Sequence, residues 1–272
     1  MSAQILFTDL DGTLLNDEKE ITEGNRQAIR EALAAGKRIV AASGRSLDSV
    51  LWQVERVGLA EPGCFLIAYN GGVIYDCARR EIIFQHTLDL EELGRLFDEA
   101  RRREIYIQTY DREQVITEPW CDQQIARWYG QRVNAATRTV QNIRRDLSAP
   151  PAKALLIDRS ECGALDEMAE WIRENLAGRV DCFHSSAFYL EAVAAGVNKG
   201  AALEALCGML EIPVSQSVAA GDEANDISML RAAGVGAAMA NAVPAAREAA
   251  DYVTERDNNR DGVAEIIRRF LL

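Results

Sequence analysis

The chain has 272 residues, of which 48% are hydrophobic and 26% are charged, a composition typical of globular proteins that argues against disorder. Its 30 Lys and Arg residues against 42 Asp and Glu residues give a formal net charge of −12, which argues against binding to nucleic acid or to anionic membranes. Six scattered cysteines, no signal-peptide pattern and no apolar stretch of membrane-spanning length lead us to expect a soluble, cytoplasmic protein.

The N-terminal part of the chain alternates apolar strands with helices. Residues 4–10 (QILFTDL) predict a buried strand, and residues 21–36 (ITEGNRQAIREALAAG) predict an amphipathic helix that ends at a glycine. Residues 37–43 and 64–72 predict two further strands, with a helix between them. Strands that alternate with helices are typical of crossover units in a mainly parallel sheet.

The pattern changes near residue 83. Strand-like segments then follow one another more closely, starting with REIIFQHTL at residues 80–88, and the alternation of strand and helix resumes at Lys199. We therefore predict an α/β fold with a Rossmann-like, doubly wound, mainly parallel sheet. Its core is discontinuous, with residues 1–83 and 191–272 forming the core and residues 84–190 forming an inserted α+β domain.

Two aspartates, Asp9 and Asp11, follow the first predicted strand and precede Gly12. Residues at positions i and i+2 of an extended segment point the same way, so the two carboxylates can share one site. A calcium-binding loop has glycine at its sixth position, whereas Gly12 is fourth here, so that alternative fails and a plain polar turn stays open. Paired carboxylates whose pKa values are split allow one to act as a nucleophile and the other as a proton donor.

Two more polar groups stand where a helix begins. Ser43–Arg45 follows the second predicted strand, and its hydroxyl and N–H groups favour an anion, although Ser43 also suits a helix cap. Lys199 opens a helix, where its charge opposes the helix dipole, and this slightly disfavours a purely structural role without removing the alternative of a surface lysine.

The stretch AAGDEANDISML, residues 219–230, carries the fourth polar group. Its turn contains four oxygen-bearing side chains, which are Asp222, Glu223, Asn225 and Asp226. A hard cation such as Mg2+ prefers oxygen ligands, whereas a capped helix start needs only one such side chain. All these turns follow predicted strands, and the carboxyl edge of a parallel sheet is where ligands bind, so we expect one site there.

The motifs together resemble the haloacid dehalogenase superfamily, and more narrowly its Cof-type phosphatases, which carry a large α+β cap. The resemblance is carried by FTDLDGTLL, AASGRS, YNGG, VNKGAAL, AAGDEANDISML, GVGAAMANA and DNNRDGVAEII, which span nearly the whole chain. One departure from the family pattern is Ser43, which stands where many relatives have Thr. The hydroxyl of either residue can fill the same role.

The resemblance also implies roles for individual residues. Asp9 attacks phosphorus and forms an aspartyl-phosphate, and Asp11 protonates the leaving alcohol and then accepts a proton from water. Mg2+ is held by the Asp9 side chain, the Asp11 backbone carbonyl and Asp222. The residues implied to bind the phosphoryl group are Ser43, Gly44, Lys199 and Asn225. Those implied to face the substrate are Arg45, Asn70 and Gly71. Asp226 is implied to hold the binding residues in place without contacting the substrate itself.

The sequence therefore predicts a Mg2+-dependent phosphatase acting on small phosphorylated metabolites, such as sugar phosphates or phosphorylated cofactors. The expected partner is a small phosphate ester, with no nucleic acid and no membrane, and no pattern indicates an oligomeric state. Two alternatives remain at this point: a phosphomutase or phosphotransferase on sugar phosphates, and a non-catalytic sugar-phosphate sensor. The acid at Asp11 argues against the sensor, because binding alone does not need it.

Overall fold

A computed structural model describes residues 2–111, 114–133, 135–160 and 163–272. The chain divides into two compact units, one formed by the segments up to Gln85 and from Asn198 onward, the other by His86–Val197. We call them the core unit and the inserted unit.

The elements follow one another in this order. The first core segment contains β1 (Ile5–Asp9), α1 (Glu23–Ala34), β2 (Arg38–Ala42), α2 (Leu47–Val57), β3 (Cys64–Ala68), β4 (Val73–Asp76) and β5 (Glu81–Gln85). The inserted unit contains α3 (Leu90–Arg102), β6 (Tyr106–Asp111), β7 (Gln114–Thr117), α4 (Gln123–Val133), β8 (Ala136–Thr139), β9 (Lys153–Ile157), α5 (Ala164–Asn175), β10 (Val180–Ser186) and β11 (Tyr189–Ala194). The second core segment contains α6 (Lys199–Met209), β12 (Ser217–Gly221), α7 (Ile227–Ala232), β13 (Val235–Ala238), α8 (Pro244–Ala249), β14 (Tyr252–Val253) and α9 (Gly262–Ile266).

The core unit is built on an eight-stranded sheet in the order β14-β13-β12-β1-β2-β3-β4-β5. The strands from β14 to β3 are parallel to one another, whereas β4 is antiparallel to both of its neighbours, β3 and β5. The predicted α/β class with a mainly parallel sheet is therefore confirmed. The strand predicted within residues 80–88 is β5, and it pairs with β4 in this sheet.

The central strand β1 lies between β12 and β2, with Ile5 opposite both Ser217 and Arg38. All five of its residues are buried, which explains why it begins with the apolar run Ile5–Phe7. The helix α1 packs against β2 and α9 through its buried face, which includes Ala28 and Ile29. Strand β1 is thus fixed at the middle of the sheet, and its last residue lies at the carboxyl edge.

The inserted unit has its own six-stranded sheet, in the order β10-β11-β9-β6-β7-β8. Its strand pairs are antiparallel except for β7 with β8. Its core includes Phe97 and Met168 from the helices and Ile107 and Leu156 from the strands, all of them buried. A buried ion pair joins neighbouring strands of this sheet, because Lys153 Nζ on β9 lies 2.9 Å from Glu191 Oε2 on β11.

Two further features concern the oxidation state of the cysteines and the length and polarity of the helices. The cysteines that the structure describes are free thiols, namely Cys64, Cys77, Cys121, Cys182 and Cys207, and Cys162 lies outside the described residues. In the described part of the chain, every helix is too short or too polar to span a membrane.

Candidate active site

The predicted site residues lie at one edge of the core sheet. Asp9 ends β1, Ser43 follows β2, Asn70 lies just after β3, and Asp222 follows β12. These strands are adjacent and parallel, so their carboxyl ends meet at the same edge.

A buried lysine forms the centre of the site. Asn198 caps helix α6, because its side chain accepts a hydrogen bond from Ala201 N at 2.9 Å, and the next residue is Lys199. Lys199 is fully buried, and its Nζ lies 2.5 Å from both Asp9 Oδ1 and Asp226 Oδ1. Fully buried lysines are rare unless they are paired, so these two carboxylates explain how the ammonium is accommodated.

Asp226 organises the loop that follows β12. While Oδ1 accepts from Lys199, Oδ2 accepts hydrogen bonds from the backbone N–H groups of Asp222 at 2.9 Å and Glu223 at 3.0 Å. An ideal Cβ at Gly221 would lie only 2.4 Å from the Asp226 Cβ, so the loop needs glycine there. Both oxygens of Asp226 are thus engaged in holding the lysine and the loop.

Asp222 is held against the β1 loop. Thr13 Oγ1 donates a hydrogen bond to Asp222 Oδ1 at 2.6 Å. Gly12 has a φ of +81°, which L side chains rarely adopt, and a Cβ there would lie 2.3 Å from Asp222 Oδ2. The Gly-Thr pair of the DGT motif therefore brings two loops that are distant in sequence into contact.

Asp11 lies beside two cations. Arg45 donates from Nε to Oδ2 at 2.8 Å and from Nη2 to Oδ1 at 2.6 Å, and Lys19 Nζ donates to Oδ1 at 2.9 Å. Its side chain is 36% exposed, in contrast to the buried Asp9. In this structure Arg45 contacts Asp11, so its expected role in facing the substrate remains a prediction.

The loop after β3 joins the loops after β2 and β12. Asn70 has a φ of +57°, and its Oδ1 accepts a hydrogen bond from Asn225 Nδ2 at 3.1 Å. A Cβ at Gly44 would lie 2.9 Å from Asn70 Nδ2, and one at Gly71 would lie 2.3 Å from the Asn198 carbonyl oxygen. Close approach to the Asn198 backbone and a φ of +115° thus explain glycine at position 71, whereas a Cβ at Gly44 would press on the side-chain amide of Asn70.

Ser43 is buried at the end of β2. Its Oγ accepts a hydrogen bond from Arg45 N at 3.2 Å, and its backbone carbonyl accepts one from Asn70 N at 3.0 Å. The hydroxyl therefore shapes the turn that presents Arg45, and the same loop meets Asn70.

Burial and charge shift the pKa values of the acids. Burial raises the pKa of Asp9 to about 8, although the Lys199 charge opposes this shift. Burial also raises the pKa of Asp222 to about 6. Burial tends to lower the pKa of Lys199, but Asp9 and Asp226 outweigh it and raise the pKa. For Asp11 burial acts upward, and the charges of Arg45 and Lys19 bring its pKa below the usual value.

The buried acids fit a divalent cation. Carboxylate oxygens of Asp9, Asp222 and Asp226 lie within 4.8 Å of one another, and Lys199 is the one cation hydrogen-bonded within that buried cluster among the described residues. In the described part of the chain, Oδ2 of Asp9 and Oδ2 of Asp222 accept no hydrogen bond from protein. Mg2+ prefers hard oxygen ligands. Carboxylate oxygens that lie close together, with fewer cations than anions around them, therefore suit this ion.

Sequence reasoning missed two residues that the structure brings to this edge. Thr13 supports Asp222, and its signal was its place directly after Gly12 in the first motif. Lys19 contacts Asp11, and its signal was a single lysine within the otherwise acidic run DEKE, residues 17–20. Neither residue stands out by hydrophobic periodicity.

Comparisons with known proteins identify the family of the chain. A family model of haloacid dehalogenase-like hydrolases matches residues 6–267. The chain is 30% identical to YxeH of Bacillus subtilis (strain 168), over 99% of this chain and 98% of that one. It is also 30% identical to the 5-amino-6-(5-phospho-D-ribitylamino)uracil phosphatase YcsE of the same organism, over 99% and 96% of the two chains. A crystal structure of a haloacid dehalogenase-like hydrolase from Bacteroides thetaiotaomicron superposes with a TM-score of 0.85 at 32% identity, covering 98% and 99%.

The chain belongs to the haloacid dehalogenase family of hydrolases. The predicted membership in this family, in its Cof-type branch, is confirmed, and the protein is a phosphatase of phosphorylated substrates.

Proposed function

We propose that the protein is a Mg2+-dependent phosphatase of small phosphorylated metabolites that works through an aspartyl-phosphate on Asp9. The observation that carries this proposal is the buried cluster in which Lys199 contacts Asp9 and Asp226 while Asp222 lies alongside. A relative that is named for a phosphorylated ribitylaminouracil supports a small metabolite as the substrate class.

The side chains of Asp9 and Asp222, with the Asp11 backbone carbonyl, would hold the Mg2+. When bound, the ion would supply positive charge beside the phosphoryl oxygens and offset the repulsion between the carboxylates. Asp226 serves a different purpose in this proposal, because both its oxygens are engaged by Lys199 and by backbone N–H groups.

Two displacements at phosphorus make up the proposed reaction. In the first, a carboxylate oxygen of Asp9 bonds to phosphorus, the bond to the ester oxygen breaks, and Asp11 gives its proton to the departing alcohol. In the second, a water oxygen attacks the same phosphorus, the bond to Asp9 breaks, and Asp11 takes up a proton from that water. The sum is ester plus water giving alcohol plus phosphate, with both aspartates returned to their starting states.

The remaining site residues position the phosphoryl group. Phosphoryl transfer depends mainly on orientation and on neutralising negative charge, which suits the Lys199 ammonium. Ser43, Gly44 and Asn225 lie on loops that meet at Asn70, and we assign them to the phosphoryl oxygens. We assign selection of the leaving alcohol to the inserted domain predicted at residues 84–190.

A panel of phosphate monoesters tests the proposal. We expect purified protein to release inorganic phosphate from some members in the presence of Mg2+, to stop when a chelator removes the metal, and to recover when Mg2+ is restored. Turnover that is unaffected by the chelator would reject the metal. Activity that requires an acceptor alcohol or a bisphosphate activator would favour the phosphotransferase or phosphomutase alternative.

A further inference from the structure

Two asparagines of the core unit bond to the loop that follows β1. Asn241 belongs to the segment GVGAAMANA and lies in the loop between β13 and α8. Asn258 belongs to the segment DNNRDGVAEII and lies in the loop before α9. The side chain of Asn241 is exposed, whereas Asn258 is almost completely buried. Neither takes part in the proposed reaction, so their hydrogen bonds need another explanation.

The hydrogen bonds of the two asparagines converge on the loop after β1. Asn241 Nδ2 donates to the Gly12 carbonyl at 2.8 Å, and Asn258 Nδ2 donates to the Leu15 carbonyl at 3.0 Å. The asparagines are also joined to each other, because Asn258 N donates to Asn241 Oδ1 at 3.2 Å. The amide of Asn241 is thus held by a buried neighbour while it holds the Gly12 peptide.

The loop after β1 satisfies other carbonyls by its own backbone. Leu14 N donates to the Asp9 carbonyl at 3.2 Å, and Leu15 N donates to the Leu10 carbonyl at 2.8 Å. In the part of the chain that the structure describes, the Asp11 carbonyl accepts no hydrogen bond from the protein. The oxygen that we propose as a backbone ligand of Mg2+ is therefore left available between carbonyls that are held in place.

The loop that carries Asn241 also holds the loop that carries Asp222. Val243 N donates to the Asp222 carbonyl at 2.9 Å. Residues 239–243 therefore bond to one ligand-bearing loop through a backbone N–H group and to the other through the Asn241 side chain. A single short segment thus sets the position of one loop against the other.

We propose that Asn241 is a positioning residue for the Mg2+ site: it holds the Gly12 peptide so that the adjoining Asp11 carbonyl stays in one ligand set with Asp9 and Asp222. This inference rests on the metal ligands assigned in the proposed function. Groups that orient metal ligands commonly contribute about 10- to 100-fold to metal affinity.

The flexibility of Gly12 is the reason that an external bond is needed. Glycine adopts a φ of +81° readily, but it adopts many other conformations as readily. Without the Asn241 amide, a fraction of the molecules has this turn in other conformations, and the apparent affinity for the ion falls with the fraction that remains competent. A saturating concentration of the ion selects the competent conformation again. Metal binding should therefore weaken while turnover at saturating metal stays near normal.

Direct binding of Mn2+ tests this inference without substrate. Mn2+ takes the same oxygen ligands as Mg2+, and electron paramagnetic resonance measures the concentration of the free ion. For Asn241→Ala we expect the dissociation constant of Mn2+ to rise about tenfold. We expect kcat at saturating Mg2+ to stay within about twofold of that of the unaltered protein, because the bound ion restores the turn.

Asn175→Ala is the matched control. Asn175 is also exposed, and its Nδ2 donates to a backbone carbonyl, that of Trp171, at 2.9 Å, but it lies on α5 of the inserted unit. This variant loses the same kind of hydrogen bond, and its Mn2+ dissociation constant and kcat should both be unchanged. Thermal unfolding in a chelator verifies that both variants are folded at the temperature of the binding measurement.

The outcomes distinguish this inference from the proposed function. A normal Mn2+ dissociation constant in Asn241→Ala, or a kcat that stays low at saturating Mg2+, would overturn the positioning role. Asp222→Asn lacks a proposed ligand and should lose more Mn2+ affinity than Asn241→Ala. If Asp222→Asn loses affinity and Asn241→Ala does not, the inference alone fails. If Asp222→Asn binds Mn2+ normally, the metal assignment of the proposed function fails as well.

Discussion

The inserted unit and the core unit both bury charged side chains, but the ratio of buried cations to buried anions differs between them. In the inserted unit, Lys153 and Glu191 form a pair of one cation and one anion, 2.9 Å apart and both buried. In the described part of the core site, Lys199 faces three buried carboxylates, those of Asp9, Asp222 and Asp226.

The difference separates an ion pair inside a sheet from the cluster that we propose binds Mg2+. A balanced pair satisfies its own charge, whereas an excess of buried carboxylates raises the free energy of the folded state unless a further cation binds. Burial raises the carboxyl pKa values of Asp9 and Asp222 in the core cluster, and the neighbouring carboxylates add to both shifts. The imbalance is what the proposed Mg2+ would relieve.

The largest effect should come from the proposed nucleophile of the core cluster, Asp9. Asp9→Asn keeps the shape of the side chain but removes the attacking carboxylate, and we expect kcat to fall on the order of 10⁴-fold or more. Phosphate release under saturating substrate and Mg2+ measures it, with circular dichroism as the control for folding. Turnover near the normal rate in this variant would remove Asp9 from the mechanism.

Breaking the balanced pair should lower stability instead of activity. Glu191→Gln removes the anion that contacts the buried Lys153 ammonium, and we expect the free energy of unfolding to fall by about 3 kcal/mol. Urea denaturation measures the change. In the double variant Lys153→Met, Glu191→Gln both charges of this pair are removed, so most of the loss should be recovered. A double variant as unstable as the single one would show that the loss does not come from the charge of Lys153.

The same carboxylate-to-amide change should have the opposite sign in the core cluster. Asp222→Asn removes one of the repelling charges, so the metal-free variant should be more stable than the unaltered protein by on the order of 1 kcal/mol at neutral pH. It should also lose activation by Mg2+. Denaturation in a chelator, beside the Glu191→Gln variant, measures the contrast.

The pKa of Asp222 fixes the pH range of that stabilisation. Because the folded-state pKa is about 6 and the ordinary value is 3.8, ionisation is harder in the folded protein, and the cost is fully present above about pH 6. It decreases as the pH falls from about 6 toward 3.8 and disappears below that value. The advantage of Asp222→Asn should therefore shrink in acid; a constant advantage from pH 8 to pH 4 would contradict the assigned cause.

Hydrophobic patterning predicted most of the core fold. Buried strands such as β1 and β3 read as short apolar runs, and α1 showed its buried stripe. Strand β4 was missed because it has four residues and follows directly on the Asn70 turn. Strand β5 was grouped with the segments of the insert, because the pairing that assigns it to the core sheet depends on β4 and on a tight turn at Arg80 with φ of +56°.

The sequence predicted those parts of the candidate site whose positions follow from the course of the backbone alone. The residues that end or follow parallel strands must meet at one edge, which places Asp9 and Asp222 together from sequence alone. The contacts of Asp11 were not predictable in this way. Arg45 reaches it through a particular side-chain conformation, and Lys19 does so through a left-handed backbone held by a helix more than thirty residues further along.

The pairing of β1 with β12 has a consequence for synthesis. Strand β1 is made well before its neighbour on one side, which begins at Ser217, so the ribosome needs roughly 10 to 40 seconds to deliver that neighbour. During this interval Asp9 is present without Lys199 or Asp222, and one edge of the central strand lacks its partner. An open edge of an apolar strand invites pairing with other chains, so the nascent protein passes through an aggregation-prone stage before any catalytic centre can assemble.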